Sequence, residues 1–275
     1  MHQPSLGPTS EAGMESVLIL TPAKDAAHHL QSYFELLYSL DYPRRLLSLA
    51  FLEGDSTDDT FSRLEGRLPE LRREFAGAGV WKRDYGFRVP HNANRWDYPL
   101  QVDRRAALAR SRNYLLSRAL RDEQWVLWLD VDIVDYPADI LQRLIAAGRD
   151  VVQPNCVKEA GGKSFDLNAW RDHGSKYMHD LRSEGELVRL DSVGGSMLLV
   201  RADLHREGLV FPPFLYGVRN PRARRRHNFS SKGLINALRP GVCGEIETEG
   251  LAMMAYDMGY QCWGMPGLEI IHRDA

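Results

Sequence analysis

Cysteine is scarce. The 275 residues hold three, Cys156, Cys243 and Cys262, odd in number and far apart. That excludes a disulfide framework and a cysteine-rich zinc site, and it predicts a reducing compartment, the cytoplasm. No apolar run approaches the roughly 20 residues that span a bilayer. Residues 1–15 have neither a cationic start nor an apolar core, which predicts a disordered tail rather than a signal peptide. Charge is nearly balanced, at a formal net of −2, so nothing in it draws the chain to nucleic acid. Internal repeats and a dividing linker are lacking as well, and residues 16–275 read as one α/β domain.

What is present is an ordinary globular composition, 44% hydrophobic and 26% charged, in a chain long enough to bury a sizeable core. The most informative stretch is Trp125 to Ile133 (WVLWLDVDI). A short unbroken apolar run reads as a strand buried on both faces, as in a parallel sheet. In an extended chain residues i and i+2 share a face, so Asp130 and Asp132 are predicted side by side at its end. Two carboxylates there repel each other and lose hydration, a situation that Mg²⁺ or Mn²⁺ with a phosphate relieves. Ligands in open α/β sheets bind beyond the carboxyl ends of the strands, where this pair lies.

Two further apolar runs precede it. Val17 to Leu20 ends at Thr21-Pro22-Ala23-Lys24-Asp25, a helix follows over about 28–40, and Leu46 to Leu52 leads into Glu53-Gly54-Asp55-Ser56-Thr57-Asp58-Asp59-Thr60. Strand, helix, strand implies a right-handed βαβ unit. Asp58 and Asp59 suit helix capping, while Glu53 or Asp55 could accept hydrogen bonds from the base and ribose of a nucleotide. Residues 65–101 look polar and irregular, with 81–98 as a loop over the site. A clear helix spans about 102–120 and carries Arg112 and Asn113 in its middle, where Asn is a poor fit. Further expected elements are a helix over 137–147, a strand over 151–155, a loop-like stretch over 158–186, and a glycine break at Gly194-Gly195 before an apolar strand. A helix from about Gly250 to Met258 and a strand over 262–271 end at His272. The run Arg219 to Lys232 is densely basic with no apolar stripe. By default it reads as a solvated, mobile loop; beside a phosphate-bearing site it could instead order over a diphosphate, or let Arg222–Arg226 touch the inner face of an anionic membrane.

Taken in order, Thr21–Asp25, Gly54–Thr60, Arg112-Asn113, Asp130-Val131-Asp132 and Glu247-Thr248-Glu249-Gly250 resemble the fungal Golgi mannan-polymerase α-mannosyltransferases, glycosyltransferase family 62. The likeness runs from about Val17 to His272. It implies a GT-A fold, with a Rossmann-like, mostly parallel central sheet flanked by helices. It also implies GDP-mannose as donor, Mn²⁺, and transfer of mannose with retention to a glycan or lipid-linked acceptor. By position, Asp130, Asp132 and His272 would hold the metal. Thr21, Pro22, Asp25 and Asp55 would line the nucleotide pocket, joined by Glu53, Asn113 and Asp130. Arg112 and Glu247 or Glu249 would face the transferred sugar or the acceptor hydroxyl. The resemblance implies an N-terminal membrane anchor, which residues 1–15 do not resemble, and the basic run Arg219 to Lys232 matches no family feature.

Such chemistry needs a metal on the departing diphosphate and arginines to share its charge. Three alternatives stand beside it: a GT-A enzyme with another nucleotide-sugar donor, a nucleotidyltransferase, and a non-catalytic sugar-nucleotide-binding subunit. Thr21–Asp25 contains no glycine, which weighs against the second.

Overall fold

In the computed structural model, which describes residues 13–88, 98–223 and 244–273, the apolar runs become strands of one nine-stranded sheet. β1 (Val17–Ala23), β2 (Leu47–Glu53), β3 (Gly77–Lys82) and β4 (Trp125–Leu129) are parallel, in the order β3-β2-β1-β4. β10 (Met197–Arg201) enters antiparallel between β4 and β6 (Val151–Val157), and β11 (Cys262–His272) runs parallel to β6. β5 (Ile133–Asp135) and β9 (Val188–Leu190) pair antiparallel with β11, and β7 (Trp170–Arg171) with β8 (Lys176–Tyr177) forms a separate hairpin.

All five residues of β4 are buried because helices cover both faces of the sheet. One face packs α1 (Leu30–Ser39), α2 (Thr60–Glu74) and the Ile140–Ala146 helix. The other packs α3 (Tyr98–Ala119) and the Glu247–Asp257 helix. The α/β class expected from the sequence is the one observed. No helix among the described residues is long and apolar enough to cross a membrane.

Several expectations need correction. Residues 65–101 are not uniformly irregular: α2 runs to Glu74, β3 follows, and α3 begins at Tyr98. The strand read over 125–133 stops at Leu129, turns through 130–132, and resumes as β5. Residues 158–186 are not only loop, since β7, β8 and a 3₁₀ segment, Met178–Glu184, lie within them. The last helix starts at Glu247 rather than Gly250. The end of the expected tail is tied into the fold: Met14 packs on the core and the Glu15 carboxylate accepts from Trp125 Nε1 at 2.8 Å; residues 1–12 lie outside the described residues, as does 89–97 of the expected loop.

β4 has an unusual buried prop. Trp128 Nε1–H donates to His205 Nε2 at 3.3 Å, and His205 Nδ1–H donates to the Leu209 carbonyl at 2.7 Å, so one neutral tautomer satisfies both. Burial pushes the His205 imidazole down to about 4, Arg206 adding to the effect and the Leu209 carbonyl opposing it. In the unfolded chain the ring takes a proton near its ordinary value, about 6.5. The stabilisation is therefore complete above that pH and is lost as pH falls toward 4, by about 3 kcal/mol. Urea midpoints at pH 7.5 and 4.5 should diverge more for the parent than for His205→Gln. Equal divergence would remove His205 from the account.

Candidate active site

Beyond β4 opens a cleft of about 1080 Å³. Helix α3 supplies one wall: Gln101, Arg104, Arg105, Leu108 and Arg112 line it at spacings of three, four, seven and eleven residues, one helical stripe. The turn after β4 brings Asp130 and Asp132, the segment before β7 brings Asp166, and the last helix and β11 bring Glu247 and His272. Asp130 and Asp132 face the same cleft through a turn, not through the extended alternation predicted for them.

Arg112 is the hub. Its side chain is 4% exposed, with Nη2 3.2 Å from Asp130 Oδ1 and Nε 3.1 Å from Glu247 Oε1. Gly195 permits this path, since a Cβ there would stand 2.6 Å from Arg112 Nη2. Glu247 holds φ at 60°, a left-handed conformation that costs a non-glycine residue roughly 1–2 kcal/mol. The strain is held by its N–H donating to the Pro212 carbonyl at 2.9 Å, and it aims the carboxylate at Arg112.

Burial pushes the Asp130 carboxyl up to about 7; Asp132, Asp166 and Glu247 push the same way, and Arg112 opposes them. For Asp132 burial acts upward too, but the hydrogen bond and charge of His272 outweigh it and hold the group below its ordinary range. The His272 Nε2 to Asp132 Oδ2 distance is 3.0 Å, and the imidazole stacks on Phe165 with ring centres 4.0 Å apart.

A second layer adjoins the cleft without lining it. Asp25 Oδ1 accepts from Thr57 N at 2.7 Å, Ser56 Oγ accepts from Asp25 N at 3.0 Å, and Asp58 Oδ2 accepts from Ala27 N at 3.0 Å. These bonds stitch the turn after β1 to the turn after β2. Asp55, left-handed at φ 59°, accepts from the N–H groups of Tyr85 and Gly86 at 3.0 and 2.9 Å. Asp25 is left-handed as well, at φ 48°.

Of the residues singled out from sequence, Arg112, Asp130, Asp132, Glu247 and His272 meet at the cleft. Pro22 lies within β1, opposite Leu52 of β2, while Asp25 and Asp55 belong to the adjoining turns. Thr21 is buried in β1 with its hydroxyl 2.5 Å from Tyr33 OH, and Glu53 is buried with Oε1 accepting from Ser56 N at 3.0 Å. Asn113 is engaged at both ends of its amide by the Phe211 peptide, at 2.7 and 2.8 Å. Glu249 points away from the cleft because residues two apart on a helix differ by about 200°. It ion-pairs with Arg105 at 2.5 Å and accepts from Trp170 Nε1 at 2.7 Å. Arg222 is committed to the fold, stacked over Tyr256 and bonded to Gln261, while 224–232 of the basic run lie outside the described residues.

Sequence reasoning missed Arg104, Arg105 and Asp166. The two arginines sit about two turns before Arg112 on a readable stripe. Asp166 carries no local signal: its Oδ2 accepts from Gly195 N and Ser196 Oγ at 2.9 and 3.0 Å, and a Cβ on Gly194 would collide with it. The glycine pair thus makes room for Asp166 and Arg112.

Among the described residues no three His, Cys, Asp or Glu side chains converge closely enough to form a ready ion site. The donor chemistry nonetheless suits a divalent cation. Asp132 Oδ1 is buried with no hydrogen-bond partner among the described residues, and Asp130 is held at a pKa that an added positive charge would lower. Two carboxylates and an imidazole match Mn²⁺ better than Mg²⁺, which prefers oxygen alone.

The chain is 29% identical to the mannan polymerase complex subunit mnn9 of Schizosaccharomyces pombe, over 94% of this chain and 80% of that one. It is 27% identical to the mannan polymerase II complex anp1 subunit of the same yeast, again over 94% of this chain but spanning 64% of the relative. Among solved structures, a mannosyltransferase from Pyrobaculum calidifontis in complex with GDP-Man and Mn²⁺ aligns with a TM-score of 0.56 at 16% identity. That alignment covers 94% of this chain and 56% of the other, and it identifies the architecture as the GT-A glycosyltransferase fold. The Anp1 family model matches over residues 2–181 and 172–215, most of the sequence, and the chain belongs to the Anp1 family.

Proposed function

We propose that this chain is a metal-dependent glycosyltransferase that moves mannose from GDP-mannose, with retention, to a glycan or lipid-linked acceptor. The observation that carries the reading is the meeting of Asp130, Asp132, His272 and the buried Arg112 on one cleft. Asp130, Asp132 and His272 would hold Mn²⁺, which when bound supplies Lewis-acid stabilisation of the departing diphosphate. Arg112 has Nη1 buried with no hydrogen-bond partner among the described residues, so it can donate to an anionic oxygen of that leaving group. Glu247, on the far side of Arg112, orients the sugar or the acceptor hydroxyl. The stitched turns carrying Asp25 and Asp55 form the floor on which base and ribose rest. The names of the relatives support mannose, and the donor and Mn²⁺ of the Pyrobaculum structure support the pairing. Activity within a mannan polymerase complex is part of this proposal.

Thermal midpoints measured with GDP-mannose, UDP-GlcNAc and UDP-galactose, each with and without Mn²⁺, test it. GDP-mannose with Mn²⁺ should raise the midpoint most, because ligand that binds only the native state stabilises it by mass action. A larger shift with either UDP-sugar would reject the donor assignment, and shifts independent of Mn²⁺ would reject the metal.

A further inference from the structure

Arg112 lines the cleft with its side chain 4% exposed, two of its nitrogens beside Asp130 and Glu247 and the third, Nη1, buried without a hydrogen-bond partner among the described residues, so something must fix its plane. Two rings do. The guanidinium carbon lies 5.6 Å from the centre of Trp128 and 5.3 Å from that of Phe211, and those rings meet edge to face at 4.9 Å. Trp128 is fixed by β4 and by its bond to His205. Phe211 lies in no helix or strand, and what anchors it is the side chain next to Arg112. Asn113 Nδ2 donates to the Phe211 carbonyl at 2.7 Å, and its Oδ1 accepts from Phe211 N at 2.8 Å. Only a primary amide on a short stem can close both bonds to one residue. The guanidinium face prefers aromatic planes, and its donors then point along the plane those rings dictate.

We infer that Asn113 is a positioning residue: by clamping the Phe211 backbone it holds the ring that aims Arg112 into the cleft, without itself touching nucleotide or sugar. The inference deepens the proposed glycosyl transfer and rests on it for its kinetic consequence. The geometric claim stands separately. Asn113→Ala removes the clamp; Phe211→Leu keeps the clamp and removes the ring; Phe211→Tyr keeps both.

The first readout needs no activity. The Arg112 Nε–H resonance in a ¹H–¹⁵N spectrum should be displaced by ring currents in the parent, and should move and broaden in Asn113→Ala and Phe211→Leu but not in Phe211→Tyr. The second readout is turnover of GDP-mannose with Mn²⁺. In Asn113→Ala and Phe211→Leu, kcat should fall at least tenfold while KM for the donor changes less than threefold, with Phe211→Tyr near the parent. In an Arg112→Lys background, Asn113→Ala should add less than a twofold further loss. A purely structural role would lower the thermal midpoint and leave kcat per folded molecule intact. That result, an unmoved Arg112 resonance, or equal losses in both backgrounds would overturn the inference. If the parent binds no nucleoside diphosphate, the functional reading has failed, and the resonance alone decides the positioning. Should Asn113→Ala not fold, Phe211→Leu against Phe211→Tyr separates the same two outcomes.

Discussion

Asp132→Ala is expected to abolish Mn²⁺-dependent stabilisation by GDP and to lower sugar transfer about 10³-fold, roughly 4 kcal/mol of transition-state stabilisation. The residue combines an oxygen bonded to His272 at 3.0 Å with a second, buried oxygen lacking a hydrogen-bond partner among the described residues. Removing it takes away one proposed ligand and releases the imidazole that Asp132 orients, as happens when an outer partner of a metal ligand is lost. At a ligand concentration about 100 times Kd, the parent should gain close to 2.7 kcal/mol from GDP and Mn²⁺, and the variant nothing. The unliganded variant should keep a urea midpoint near the parent's, since Asp132 is partly exposed. Retention of Mn²⁺-dependent GDP binding in a folded Asp132→Ala chain would reject the metal site as assigned.

Arg105→Leu should be the most destabilising single change near the cleft, by about 3–5 kcal/mol. Arg105 bonds Glu249 at 2.5 Å and the Ile246 carbonyl at 2.6 Å, with Glu247 3.7 Å away. Glu249 is fully buried, so deleting the cation strands a carboxylate whose remaining hydrogen bonds include that from Trp170. The penalty belongs to the orphaned charge, not to the pair. The double variant Arg105→Leu/Glu249→Leu should therefore recover a large part of the loss. Urea unfolding of the three chains measures this, and a single variant as stable as the parent would mean that the network contributes little.

Three of the parallel strands, β1, β2 and β4, were legible because burial on both faces leaves few residues but apolar ones, as in Trp125 to Leu129. The acidic pair was legible because it interrupts such a run. α2 was hidden by Gly66 and Pro69 and by a face rich in Arg and Glu, with only Thr60, Leu64 and Leu71 fully buried. β3 was hidden by Gly77 and Gly79 and by its half-exposed place at the sheet edge. What the sequence could not apportion is Glu247 against Glu249, which it leaves equally available to the sugar. Once they stand in the first turn of a helix, one acid must face the cleft and the other the core. Arg112 shows the limit of a lone sequence: nothing in its neighbours in the chain says that an arginine sits beneath two rings contributed from 128 and 211.

The pairing of Asp132 with His272 has a consequence for biosynthesis. These residues are 140 positions apart, and His272 reaches the cleft on β11, which lies between β6 and β5. Chains fold from the amino end as they emerge from the ribosome. The parallel strands β1 to β4 can assemble on the ribosome well before β11 is translated, leaving the acids of the cleft in place with no imidazole. A nascent chain stalled before residue 262 should hold folded strands yet bind no nucleotide-metal complex. Under the proposed function, competence to bind would then arise in a single late step, when β11 inserts into its slot.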